Sequence, residues 1–314
     1  MKLVHIFKSG LIFLVFLIFI TNLVSAEENL YEERGTEIAD TFVELLDSAV
    51  EDTLIVANFD FSNVDSAKLS IKLFYNQKFG EIWFNLGSDE FPSEKADSIP
   101  IYSEISFINS GGMEIIKYSN GNYTLNLKDV SKVENTEFLS ETYFEDTKNL
   151  LDGEVFIGNV MAQYVSKEQV FVDLSEEFYN KYEYVVGRDI MKNGIIRFSS
   201  PVYKEGEFIG IVVLSLDYRH LQELTKHIDP ILNSNVVSTS YANNYILVFD
   251  NEGNTIIHPK PDNIRGYLLD GQLAGFNELN STRTGSIFNL FKYEKSPVYK
   301  EIASSIIYEG KIHT

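Results

Sequence analysis

Arg188, Arg197, Tyr203 and Asp217 are the residues whose types and spacing could hold a small polar molecule. An arginine fork grips a carboxylate through two parallel hydrogen bonds. Asp217 ends the stretch Gly194–Asp217, GIIRFSSPVYKEGEFIGIVVLSLD, directly after an almost continuously apolar run. A carboxylate at the end of a buried strand is costly unless something binds it. Tyr164 and Tyr182 are further aromatic candidates for the walls of a pocket. Each residue has a plainer reading beside the binding one. Arg188 with Asp189 makes a solvated loop pair, and Arg197 a salt bridge or a surface strand position. Tyr203 packs in the core, and Asp217 caps a helix over 218–228.

Other chemistries fail on spacing. His5, His220, His227, His258 and His313 are scattered, and two turns separate the only close pair, so no metal site is expected. Asp250, Asn251, Glu252 and Asn254 are rich in oxygen but lack calcium-loop spacing, and plain turn chemistry accounts for them. No nucleophile elbow, phosphate loop or dinucleotide fingerprint is present. Carboxylates are abundant, but nothing fixes a catalytic separation. The sequence therefore carries no catalytic set and calls for no cofactor. It has no cysteine, which excludes disulfides, thiolate metal sites and cysteine nucleophiles. With 26 basic and 46 acidic residues the net charge is −20, a surface that repels phosphate backbones and excludes nucleic acid as a partner.

The elements that must position these residues are mixed α and β. Ile38, Phe42, Leu45, Leu46 and Ala49 recur at helical spacing and predict a long amphipathic helix over 29–50, with Gly35 a weak point inside it. A break follows at 60–63, then mixed structure over 67–79 and a loop over 91–100 with two prolines. EISFIN, Ser110-Gly111-Gly112 and MEIIKY predict a hairpin, and 138–151 a helix. Short strands are expected at 155–165 and 169–174, and a polar, aromatic loop over a site at 175–193. The strands on either side of Lys204-Glu205-Gly206-Glu207 and a helix to about Ile228 complete this unit. YILVFD, Asn251-Glu252-Gly253 and NTIIH then predict a second hairpin, a weak internal repeat of the first.

The N-terminus reads as a targeting segment. Lys2 and Lys8 precede an uncharged run from Ser9 to Ala26, and Glu27, Glu28, Glu32 and Glu33 follow it. As a helix the run spans about 27 Å, just short of a ~30 Å bilayer core. Val24-Ser25-Ala26 fits a signal-peptidase site, so the run is either a cleaved signal peptide or a first transmembrane helix. Both readings place residues 27–314 outside the cytoplasm.

EISFINSGGMEIIK, LLDGEVFIGNV, IIRFSSPVYKEGEFIGIVVLSLD and YILVFDNEGNTIIHPKPDNIRGY together resemble a double Cache sensor, the PAS-like sensing region of bacterial transmembrane receptors. The resemblance covers roughly residues 29–314. It implies an α+β fold: a long N-terminal helix followed by two tandem PAS-like antiparallel-sheet modules, the second truncated. The implied boundaries are 1–26 for the signal peptide or membrane helix and 27–60 for a membrane-emerging helix. The membrane-distal module then runs over 61–228 and a partial membrane-proximal module over 229–314.

The implied function is extracytoplasmic sensing for a histidine kinase, diguanylate cyclase or chemoreceptor, with a small ligand in the distal module. That ligand would be an amino acid, an amine or a carboxylate. Asp217 matches the Asp after the last strand of amino-acid-binding relatives, but the Arg-x-Trp-Tyr run of those relatives is absent, and Trp83 is the sole tryptophan. The expected setting is the inner membrane with a periplasmic sensor region, as a homodimer. The alternative is a secreted periplasmic small-molecule binding protein.

Overall fold

The structure, a computed structural model, describes residues 14–18, 26–85, 93–137, 141–158, 160–164, 192–226, 245–249, 255–257 and 266–267. The fold is α+β, with an N-terminal helix leading into antiparallel sheets. Helix α1, Ala26–Ala57, is continuous through Gly35. One glycine costs about 1 kcal/mol in a helix, which the burial of Ile38, Phe42, Leu46, Ala49, Val50 and Val56 along one stripe outweighs. Helix α2, Val64–Tyr75, follows the expected break; Asn63 caps it by accepting from the Ser66 amide at 3.1 Å. The stretch over 67–79 is thus mostly helix, with Ala67, Ile71, Phe74 and Tyr75 buried.

Strands β2, Phe79–Asn85, and β3, Glu94–Pro100, pair antiparallel. The loop expected over 91–100 is therefore largely strand. Its prolines do not prevent this, because Pro92 precedes β3 and Pro100 ends it, where a missing N–H is tolerated. Strands β4, Tyr102–Asn109, and β5, Glu114–Ser119, form the predicted glycine-turn hairpin, and β6, Asn122–Tyr123, extends it. Of the helix expected over 138–151, only α3, Tyr143–Thr147, is helical. Residues 138–140 lie outside the described set, and the chain turns at Asp152-Gly153, where Gly153 has φ +81°.

Next come β7, Phe156–Ile157, and β8, Met161–Tyr164, then the long hairpin of β9, Lys192–Lys204, and β10, Glu207–Asp217. Its two-residue turn, Glu205-Gly206, has both φ values positive, the geometry that matches strand twist. Helix α4, Tyr218–Lys226, follows β10 at once. The main sheet runs β8-β9-β10-β4-β5-β6, so the first and last strands of this unit, β4 and β10, lie side by side at its centre.

One face of that sheet is apolar. Ile196, Phe198, Val212, Leu214, Leu216, Ile105 and Phe107 pack with Phe42, Leu46, Ala49 and Val50 of α1 and Ile71 of α2 in one core.

The second hairpin is present as β11, Tyr245–Phe249, and β12, Thr255–Ile257, antiparallel to each other. The third strand of its sheet is β1, Leu14–Ile18, beside β11. Residues 14–18 therefore form a strand, where the apolar run leads one to expect a helix. LVFLI has no polar face to select a period, and its branched and aromatic residues suit a strand equally well. Among the described residues no helix is long and apolar enough to cross a membrane. Strand β13, Gly266–Tyr267, joins the edge of β8 in parallel.

Candidate functional site

The second face of the main sheet is built from the alternate residues of the same strands, and it carries a polar and charged row beside an apolar patch. Arg197 of β9, Ser215 of β10 and Glu104 of β4 stand in one row across the sheet, paired Ser215↔Arg197 and Ser215↔Glu104 in register. Ser106, Ser199 and Lys117 flank them, and all but Lys117 are buried. Residues 129–137 and 141–147 cover this face. Val130, Tyr143 and Phe144 anchor the cover through a small apolar cluster with Ile108, Ile211 and Val213.

Arg197 is the centre of the site and is only 2% exposed. Its Nε donates to Glu141 Oε1 at 2.5 Å and its Nη2 to Glu141 Oε2 at 3.2 Å, a two-point fork. Nη2 also donates to Glu137 Oε2 at 3.0 Å, and Nη1 to Ser215 Oγ at 2.7 Å and Glu104 Oε1 at 3.2 Å. A guanidinium has five N–H donors, and these five bonds use them all. The Tyr143 ring lies 5.0 Å from Arg197 Cζ, close enough for a cation–π contact.

Lys117 Nζ lies 2.7 Å from Glu104 and 3.2 Å from Glu114. Glu114 also accepts from the Lys128 amide at 2.9 Å. Burial works against the Glu104 carboxylate, but Arg197 and Lys117 together outweigh it and hold its pKa down at about 2. Burial likewise opposes the Lys117 charge, and Glu104 and Glu114 reverse that and raise its pKa. Arg197 stays charged, because its carboxylates more than offset desolvation.

The sequence candidates are distributed as follows. Arg197 lies at the heart of the cluster, in the salt bridges that were its plainer reading. Asp217 is engaged elsewhere: its Oδ1 accepts from the Arg219 amide at 2.9 Å at the start of α4, and its Oδ2 lies 2.7 Å from Arg219 Nη2. That is the helix-capping role. Tyr203 donates to the Leu150 carbonyl at 3.0 Å and packs edge-on to Phe208, near the β9–β10 turn. Tyr164 ends β8, opposite Lys192. Arg188 and Tyr182 lie outside the described residues. Among the described residues no group of three or more His, Cys, Asp or Glu is placed to hold a metal ion.

Sequence reasoning missed Glu104, Lys117, Glu137, Glu141 and Ser215. A signal for part of this was present. In EISFIN the polar residues fall at Glu104 and Ser106 and the apolar ones at Ile105 and Phe107, and Ser215 interrupts VVLSL on the same alternation.

No protein-family model matches the chain, and no curated protein matches it. Solved structures do. The extracellular domain of the putative histidine kinase vpHK1S-Z8 is 14% identical, with 77% of this chain and 75% of that one covered at a TM-score of 0.47. A domain of a putative sensory box/GGDEF family protein from Vibrio parahaemolyticus is 13% identical, with 76% of each chain covered and a TM-score of 0.43. The sensory domain of the Campylobacter jejuni chemoreceptor Tlp3, solved with isoleucine bound, is 11% identical, with 63% and 65% covered and a TM-score of 0.37.

Proposed function

We propose that this chain is the extracytoplasmic ligand-sensing region of a bacterial signal-transduction receptor. In this reading it binds a small polar molecule at the charged row of the main sheet's second face, under residues 129–137 and 141–147. One observation carries the reading. Both faces of one sheet are covered; beside the apolar patch of Ile108, Ile211 and Val213, the second face also buries Arg197, Glu104 and Glu114 of its own strands, with Glu141 of the cover. Buried ion pairs add little net stability compared with an apolar core of the same volume. A face built that way is a candidate for recognition.

Arg197 is the proposed anchor for a ligand carboxylate, which would take the place of Glu141 or Glu137 on the guanidinium fork. Glu104, Glu114 and the displaced carboxylates would then face any amine on the same ligand. Asp217 and Tyr203 are left outside this site, since helix α4 and the Leu150 carbonyl engage them. The output follows from the strand alternation. Arg197 sits between Ile196 and Phe198, both fully buried in the core that holds α1. A ligand that binds two packings unequally shifts the balance between them. A change at Arg197 would therefore reach α1 through its two neighbours, and α1 would carry it toward the membrane.

Thermal shift and calorimetry against amino acids, amines and short carboxylates test the reading. A binder is expected whose affinity falls at least tenfold in Arg197→Lys, a change that keeps the charge and loses the fork. A folded protein that binds nothing across such a panel contradicts the sensing function. A binder indifferent to Arg197→Lys contradicts the site.

A further inference from the structure

Glu141 sits on Arg197 as a bound carboxylate would. Nε and Nη2 donate to its two oxygens at 2.5 and 3.2 Å, the side-on fork by which a guanidinium takes a free carboxylate. Both side chains are 2% exposed, so Glu141 fills the inner seat of the fork, whereas Glu137, 37% exposed, meets Nη2 at the rim. With all five N–H groups engaged, a further carboxylate reaches Arg197 only by displacing a partner already there. Glu104 belongs to β4 and cannot leave without opening the sheet. Glu141 belongs to the cover. The cover is fastened on either side of it: Val130 and Phe144 pack in the apolar cluster with Ile108 and Ile211, and Thr147 shares a 2.5 Å hydrogen bond with Ser199. The Glu141 carboxylate can therefore leave the fork while both fastened points stay on the sheet.

We propose that Glu141 is a tethered stand-in for a ligand carboxylate: it fills the Arg197 fork while the site is empty, and an incoming carboxylate acts by evicting it and releasing this stretch of the cover. The proposal rests on the reading of Arg197 as the ligand anchor and adds the regulation of that site. A group held on a short tether competes at an effective concentration in the millimolar range. Free carboxylates therefore bind the intact chain more weakly than a chain without the Glu141 carboxylate. The state of the cover then reports which carboxylate is seated, because only Glu141 joins the fork to the backbone between Thr136 and Tyr143. Its own amide donates to Thr136 Oγ1 at 3.2 Å.

Glu141→Ala in the full chain tests this, because the atoms it removes, one methylene carbon and the carboxylate, are those of an acetate ion. Thermal shift in sodium acetate, against sodium chloride at equal ionic strength and neutral pH, should show the variant stabilised by acetate, with a midpoint at least about tenfold below that of the wild type. Amides of Asn135, Thr136 and residue 141, hydrogen-bonded in the closed cover, should exchange about tenfold faster in Glu141→Ala than in the wild type, measured against β10. Acetate should leave that exchange fast, since a free ion satisfies Arg197 without holding the cover. The proposal is overturned by an acetate effect no larger than that of chloride or equal in both proteins, by unchanged exchange in the variant, or by exchange that acetate restores. Should Glu141→Ala fail to fold in dilute buffer, refolding decides: recovery in acetate but not in chloride supports the stand-in, and any other result refutes it. A panel ligand that depends on Arg197 keeps the sensing reading standing whichever way acetate falls.

Discussion

Replacing Arg197 with methionine removes the guanidinium and keeps most of the apolar stem. Five hydrogen bonds disappear, two of them the fork to Glu141, whose side chain and that of Arg197 are each 2% exposed. Lys117 still pairs with Glu104 and Glu114, while Glu137 and Glu141 lose the guanidinium, so the described ion pairs lose one positive charge. Removing one partner of a buried pair costs about 3–5 kcal/mol, because the remaining charges stay desolvated. A domain is held by roughly 5–15 kcal/mol, so the loss is a large share of the whole. Urea denaturation near pH 7 should show it as a lower midpoint with an unchanged slope. Adding Glu141→Gln to Arg197→Met should restore part of the loss, because it removes the charge that the Arg197 fork had met. A loss below about 1 kcal/mol, or a double mutant weaker than the sum of its parts, would show that the cluster does not hold the cover to the sheet.

Two further outcomes follow from neighbouring groups. Glu104 is depressed to about 2, against 4.5 for an ordinary glutamate. Its contribution is therefore present above pH 4.5 and lost as the pH falls toward 2, a difference on the order of 3 kcal/mol. Glu104→Gln should be less stable at neutral pH and lack that part of the acid slope in urea midpoints measured at several pH values; an unchanged slope contradicts the assignment. Asp217→Ala removes the α4 cap and the Arg219 pair and should cost about 1–2 kcal/mol, while leaving exchange protection of 129–137 unaltered. Lost protection there would join Asp217 to the Arg197 cluster.

The long helix, both glycine hairpins and the β9–β10 hairpin were legible, because each is written in local periodicity and turn chemistry. Asn109 to Met113 and Lys204 to Glu207 carry the glycines their turns require, and Ile38 to Ala49 the stripe that α1 buries. What could not be read locally was which strands become neighbours. Glu104 and Arg197 stand 93 residues apart, and only the placement of β4 beside β10 brings them into one row.

The same gap explains the exchange of roles between Asp217 and Ser215. Asp217 draws the eye as a charge after an apolar run, but its position next to Tyr218 gives it a local partner in the α4 backbone, and local partners satisfy a carboxylate first. Ser215 looks like an interruption in an apolar strand, yet it is the residue directly opposite Arg197. Glu137 stands just before the helix expected over 138–151 and Glu141 within it, and their purpose appears only once Arg197 lies beneath them. A buried charge cluster is a property of pairing across the sheet. In the sequence it leaves only its strand alternation, with Glu104, Ser106, Arg197, Ser199 and Ser215 each standing where an apolar residue would have served the core.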